Sequence, residues 1–173
     1  EGMQTAGVPM DAENITLLLD EVIRLSRLVK ELDNLALVEN HAISLQMSTF
    51  PAAELLERLT PVNIAMQDRG IAFSIDVGTD IKKITADHDR LLQILLNLLS
   101  NAMHHVSSAG RVRLSIQRHK DYLQFSVADN GSGISAEDLP HVFERFYRVD
   151  DSRNRREGGM GLGLAIAKGY AEA

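Results

Sequence analysis

Asp129-Asn130-Gly131-Ser132-Gly133-Ile134, followed downstream by Gly158-Gly159-Met160-Gly161-Leu162-Gly163-Leu164, decides how this chain is read. The alternating run Leu123, Phe125, Val127 leads into the first box, so Asp129 falls where a strand ends. An ionised aspartate only accepts hydrogen bonds, which suits an exocyclic amino group such as that of adenine and rejects a carbonyl. Gly131 and Gly133 permit a close backbone approach. Standing alone, the same residues would read as an ordinary Asp-Asn-Gly turn. The second box opens into Ala165-Ile166-Ala167-Lys168, a helix start whose free N–H groups and dipole can hold phosphate oxygens. A dinucleotide fingerprint needs a strand directly before its glycines, and here the polar stretch Arg148 to Glu157 precedes them. A P-loop needs Gly-Lys-Ser/Thr, which is absent.

Upstream, the residues from about Asp89 to Val106 carry apolar side chains around most of a helix. A narrow polar stripe of Gln93, Asn97, Asn101 and His104 interrupts them, with His105 and Ser108 beside it. A buried amide left unpaired costs about 1–3 kcal/mol, so the stripe either faces water or meets a partner. Alternating runs at Ile71 to Val77, Val112 to Ile116 and Leu123 to Val127 predict strands, the last two joined through Arg118-His119-Lys120-Asp121. Phe50-Pro51 reads as the start of a helix that Gly70 ends. The predicted fold is an α/β two-layer sandwich, a mixed or antiparallel sheet covered by helices.

Before it, residues 12–40 repeat leucine and other apolar residues at intervals of three and four. A lone amphipathic helix cannot bury such a stripe, which calls for a partner from this domain or from another chain. The organisation predicted is therefore a disordered start at 1–11, a helix and linker at 12–48, and a domain at 49–173.

Lys+Arg 18 against Asp+Glu 24 gives a net charge of −6, which argues against sequence-independent nucleic-acid binding. Any polyanion must be gripped locally. Cysteine is absent, excluding disulfides and thiolate metal sites. No apolar run approaches the roughly 20 residues that span a bilayer.

Four stretches taken together resemble the asparagine box, the two glycine boxes and the phenylalanine box of bacterial sensor histidine kinases. They are Asn97-Leu98-Leu99-Ser100-Asn101-Ala102, Asp129 to Ile134, Phe143-Glu144-Arg145-Phe146-Tyr147-Arg148, and Gly159 to Ile166, in the family's order. Arg24 to Leu32 is similar to the second helix of that family's dimerisation and phosphotransfer hairpin. The resemblance implies the ATP-binding fold shared with DNA gyrase and with related chaperone and mismatch-repair ATPases. By that resemblance Asn101 coordinates Mg2+ across the phosphates of ATP, and Asn97 supports metal and phosphate geometry as a catalytic residue. Asp129 takes the adenine amino group. Gly131, Gly133, Gly159, Gly161, Leu162 and Gly163 wrap the nucleotide, Phe143 and Phe146 position a lid, and Arg148 lies near the terminal phosphate. His104 and His105 stand where lysine and an aromatic residue are common, and are candidates for nucleotide contact. Met160 stands where threonine or serine is usual.

The implied partners are an acceptor-histidine domain, a response regulator and a second copy through the 12–40 helix, with no nucleic acid. The implied location is cytoplasmic, an inner-membrane anchor in a longer parent being left open. The family's acceptor is a histidine followed by an acidic residue on the hairpin's first helix, and none of the six histidines has that setting. The chain thus reads as a C-terminally truncated fragment that binds ATP and does not autophosphorylate. The charged stretch from Ser135 to Glu157 is expected to gain order with nucleotide. An ATP hydrolase of the gyrase group would carry glutamate where Asn97 stands. A serine kinase of this fold usually lacks the long preceding helix. A non-catalytic scaffold is opposed by intact Asn101, Asp129 and Gly161.

Overall fold

The computed structural model describes residues 12–39, 43–149 and 160–173. The expectations for 1–11, His41, Gly158, Gly159 and the arginines at 153, 155 and 156 lie outside the described residues. The first element is α1, Ala12–Glu39, close to the bounds its leucine periodicity predicts. Of its stripe Leu35 is buried, whereas Leu18, Leu25 and Leu32 are exposed.

The structure corrects the reading of residues 47–70. Met47–Pro51 is a strand, β1, rather than a linker and helix start. It pairs antiparallel with a second unanticipated strand, β3, Lys83–Asp87, placing Phe50 opposite Ile84, and both side chains are buried. The predicted single helix is two: α2, Ala52–Arg58, and α3, Thr60–Asp68. The break falls at Leu59, before Pro61 in the first turn of α3, because proline has no N–H to continue the ladder. Gly70 ends α3, with the Ile71 N–H folding back to the Met66 carbonyl at 2.9 Å.

A three-stranded sheet follows in the order β2-β4-β5, with β2 spanning Ala72–Val77, β4 Arg111–His119 and β5 Tyr122–Asp129. β2 runs parallel to β4, and β4 antiparallel to β5, so the sheet is mixed. The predicted hairpin is present, its turn tightened to Lys120-Asp121. Along β4, Val112, Leu114 and Ile116 are buried while Arg111 and Arg113 face out. That alternation fixes register, since a slip by one residue would send the arginines inward.

The long helix α4, His88–His105, covers the sheet with Leu92, Leu95, Leu99 and Ala102. Each fully buried leucine contributes about 1.5–3 kcal/mol relative to exposure. Asp87 caps the helix: Oδ1 accepts from the Arg90 N–H at 3.0 Å, and Oδ2 accepts from the Gln46 N–H at 2.8 Å. Burial works to raise the Asp87 carboxyl, but these N–H groups and the Arg90 charge outweigh it and hold the group below its ordinary value. The last helix, α5, Gly163–Glu172, packs on α4. Its residues Ile166 and Tyr170, with Leu162 before them, form a second apolar cluster with Leu35 of α1. Thus a two-layer α/β sandwich is preceded by one long helix, as the sequence predicts.

Candidate functional site

Asn97 lies midway along α4, in the half-buried polar stripe with Gln93 and Asn101. Its Oδ1 accepts from Gln93 Nε2 at 3.5 Å, while its Nδ2 is buried and has no hydrogen-bond partner. An unpaired buried donor costs about 1–3 kcal/mol, an outlay the apolar core does not require. The amide faces the start of α5: a Cβ on Gly163 would stand 3.7 Å from Asn97 Cγ. The asparagine helix and the helix opened by the second glycine box therefore meet here. The free Nδ2 donor lies beside the positive end of a helix dipole, a setting suited to a phosphate oxygen.

The first glycine box docks on the far end of α4. Asp129 closes β5 and is exposed, and its Oδ1 accepts from the Gly131 N–H at 2.8 Å. That bond fixes the carboxylate's orientation. The Asn130 N–H donates to the Arg111 carbonyl at 3.2 Å, and Asn130 Oδ1 accepts from the Arg111 N–H at 2.6 Å, extending the β4–β5 pairing by one residue. The Ser132 N–H then donates to the His105 carbonyl at 3.3 Å. Gly131 sits so tightly that a Cβ would lie 2.5 Å from the same carbonyl oxygen. At Gly133, by contrast, φ is +73° and nothing lies within 4 Å, so this side of the loop is open.

His104 and His105, both expected near the nucleotide, have exposed side chains. The His104 ring turns back on its own helix, with Nδ1 donating to the Ser100 carbonyl at 2.6 Å. His105 enters the site through its backbone.

At the other glycine box, the Phe146 N–H donates to the Gly161 carbonyl at 3.0 Å, joining the phenylalanine box to the second glycine box. Phe146 adopts φ +62°, costly for an aromatic residue by about 1–2 kcal/mol, and the residue is 58% exposed. Gly161 admits no side chain, since a Cβ would lie 2.7 Å from the Tyr147 carbonyl oxygen. Leu162, expected to touch nucleotide, is fully buried and anchors the loop from below. Arg148 is exposed on the loop after Phe146. Gly159 lies outside the described residues.

Preceding this junction, Asp138 accepts from Ser135 Oγ at 2.6 Å and from the Tyr147 hydroxyl at 2.7 Å. The Ser135 hydroxyl first, and Tyr147 second, hold the Asp138 carboxyl below its ordinary value against a small burial effect. The same Asp138 bond, aided by burial, pushes the Tyr147 phenol up.

Sequence reasoning missed one polar group near the site. Tyr170, 4% exposed on α5, donates from its hydroxyl to Asn34 Oδ1 on α1 at 2.9 Å and accepts from Arg90 Nη1 on α4 at 2.8 Å. Burial raises its phenol, with Arg90 opposing and Asp87 adding, so the hydroxyl keeps its proton. No local signal marks this group, because Tyr170 occupies an apolar position of its helix.

The family model described as histidine kinase-, DNA gyrase B-, and HSP90-like ATPase matches residues 86–173. The signal transduction histidine-protein kinase BaeS of Escherichia coli (strain K12) is 32% identical over 174 residues, covering 100% of this chain and 37% of BaeS. Among solved structures, the Acinetobacter baumannii histidine kinase AdeS aligns with a TM-score of 0.76 at 26% identity, covering 95% of this chain and 75% of that one. Full-length ShkA, solved in complex with AMPPNP, aligns with a TM-score of 0.81 at 29% identity over 95% of this chain and 35% of that one.

Proposed function

The chain belongs to the histidine kinase-, DNA gyrase B-, and HSP90-like ATPase family, and from that premise we propose that it is the ATP-binding catalytic part of a two-component sensor histidine kinase. The observation that carries this reading is the buried, unpartnered Nδ2 of Asn97, on a side chain that faces the start of the glycine-box helix. Such a donor fits a phosphate oxygen, and the exposed Asp129 carboxylate, oriented by Gly131, fits the adenine amino group. AMPPNP in the ShkA complex is an ATP analogue, which favours the same ligand here.

The donor set also fits magnesium. The amide oxygens of Asn97 and Asn101 are hard oxygen ligands, and among the described residues no group of three or more His, Asp or Glu could hold a metal. The nucleotide's phosphates and water would complete its coordination. When bound, the ion neutralises charge on the transferring phosphoryl group. The protein's part is positioning and electrostatics: Asn97 Nδ2 and the α5 N-terminus hold phosphate oxygens, Gly161 and Gly163 keep side chains out of their way, and exposed Arg148 is available to the terminal phosphate. The bond from the γ-phosphorus to ADP breaks, a bond to an imidazole nitrogen forms, and the imidazole proton leaves.

The acceptor is a histidine elsewhere. His88, although followed by Asp89, has a side chain only 16% exposed, with its ring edge-on to Phe50 at 4.7 Å. Residues 12–48 are assigned to the dimerisation hairpin and its linker, and 49–173 to the catalytic domain, although β1 begins two residues before that boundary. Exposed Leu18, Leu25 and Leu32 support pairing of α1 with a second copy, and a response regulator would receive the phosphoryl group. A cytoplasmic location is proposed on the family resemblance alone; separately, among the described residues no helix is long and apolar enough to cross a membrane.

The test is calorimetric titration with ADP and ATP, in magnesium and in chelator, beside Asp129→Asn. Magnesium-dependent binding that weakens about 10- to 100-fold in the variant is expected, the worth of one hydrogen bond to a charged group. Radiolabelled ATP should then yield acid-labile phosphate on a separately supplied acceptor-histidine hairpin and none on this chain alone. A folded chain that binds no adenine nucleotide, or label that accumulates on this chain, would overturn the proposal.

A further inference from the structure

Leu162, Ile166 and Tyr170 recur every fourth residue and form one row along α5. The row begins between Gly161 and Gly163, in the second glycine box, and ends at the Tyr170 hydroxyl. That hydroxyl is shared by three helices, donating to Asn34 on α1 and accepting from Arg90 on α4, whose guanidinium also lies 4.7 Å over the tyrosine ring. Leu35, next to Asn34, packs into the same row. α5 therefore runs back along α4, meeting Arg90 at one end and Asn97 at the other. α1 grips the end remote from the glycine box. A close-packed ten-residue helix transmits displacement rather than absorbing it.

We propose that Tyr170 is a positioning residue that links the docking of α1 to nucleotide occupancy of the glycine-box end of the site. This rests on the nucleotide reading above. The linkage is reciprocal: if nucleotide favours one placement of α5 against Asn97, it must alter how firmly α1 is held, and by the same factor. Tyr170→Phe keeps the ring and its packing but removes the oxygen common to the three helices. Asn34→Ala cuts the same connection from the α1 side and leaves the core untouched.

The experiment is amide hydrogen exchange across residues 32–37, with and without saturating Mg-ADP, in the unsubstituted chain and in both variants. Circular dichroism and calorimetry accompany it to establish folding and saturation. In the unsubstituted chain, exchange should change about fivefold or more on binding, the lower end of ordinary couplings. In Tyr170→Phe and Asn34→Ala, still saturated with Mg-ADP, the change should fall below about twofold, and should Tyr170→Phe fail to fold, Asn34→Ala decides. A full response in a folded variant overturns the linkage and leaves the nucleotide reading standing, as does the absence of any response in an unsubstituted chain that binds Mg-ADP. Failure of the folded, unsubstituted chain to bind Mg-ADP overturns both.

Discussion

Replacing Gly131 by alanine would place a Cβ 2.5 Å from the His105 carbonyl oxygen and 2.9 Å from an Asp129 carboxylate oxygen. The first neighbour is helix backbone, which cannot step aside, so the glycine loop must. Gly131 has no left-handed φ, and the cost is therefore steric alone. Overpacking of this kind costs about 1–3 kcal/mol. The displaced loop also loosens the Ser132 bond to His105, worth about 0.5–1.5 kcal/mol, and the solvent-exposed Gly131 bond to Asp129, which orients the carboxylate and adds little to folding. The expected loss is about 2–4 kcal/mol of folding free energy, with ADP affinity reduced about tenfold or more because Asp129 loses its orienting bond. Gly133→Ala is the matched control: φ is +73° with nothing within 4 Å, so strain of about 1 kcal/mol stands without a clash. Urea unfolding followed by circular dichroism gives the first quantity, and calorimetry the second. Gly131→Ala within about 0.5 kcal/mol of the unsubstituted chain, or less costly than Gly133→Ala, would refute the reasoning.

Asn97→Ala should alter folding stability by less than about 1 kcal/mol, since relief of the unpaired Nδ2 donor offsets loss of the Gln93 bond to Oδ1, while weakening Mg-ADP binding at least about tenfold; a stability loss above about 3 kcal/mol in urea would show that the amide is structural. The lowered Asp138 carboxyl stabilises its loop at pH values above the ordinary aspartate pKa of about 4, and that contribution is lost as pH falls through the lowered folded value. Ser135→Ala should raise its titration point more than Tyr147→Phe does, as followed by carboxyl NMR, and the reverse order would contradict the assignment. Leu18, Leu25 and Leu32 recur every seventh residue, the spacing of a coiled-coil seam. Leu25→Glu should abolish concentration-dependent association in sedimentation and leave ADP affinity unchanged; an unaltered profile would place the contact elsewhere.

Local pattern carried the asparagine helix, the β4–β5 hairpin and both glycine boxes, because each is a periodic or punctuated run whose meaning lies within a few residues. β1 and β3 were illegible for the opposite reason. Each has a single strongly buried apolar residue, Phe50 and Ile84, and becomes a strand by pairing with the other across more than thirty intervening positions. Pro61 stands in the sequence, but the helix break it marks is masked by apolar spacing that runs on through Leu59 into Val62. At the site, residue types pointed to phosphate and adenine, whereas the partners that constrain them come from distant segments. The His105 carbonyl beneath Gly131 is one such partner, and the Asn34, Arg90 and Tyr170 group is another.

The two oxygens of Asp87 have a practical consequence for building chimeras. One oxygen starts the asparagine helix, and the other holds Gln46 in the connector that leads from α1 into β1. A foreign signalling helix can be grafted ahead of Gln46 with both bonds kept. A junction placed after it leaves the second bond to whichever foreign residue takes that position, so a light- or ligand-driven sensor that brings proline there, or holds its N–H elsewhere, would act on a domain whose entry had been loosened by the splice itself.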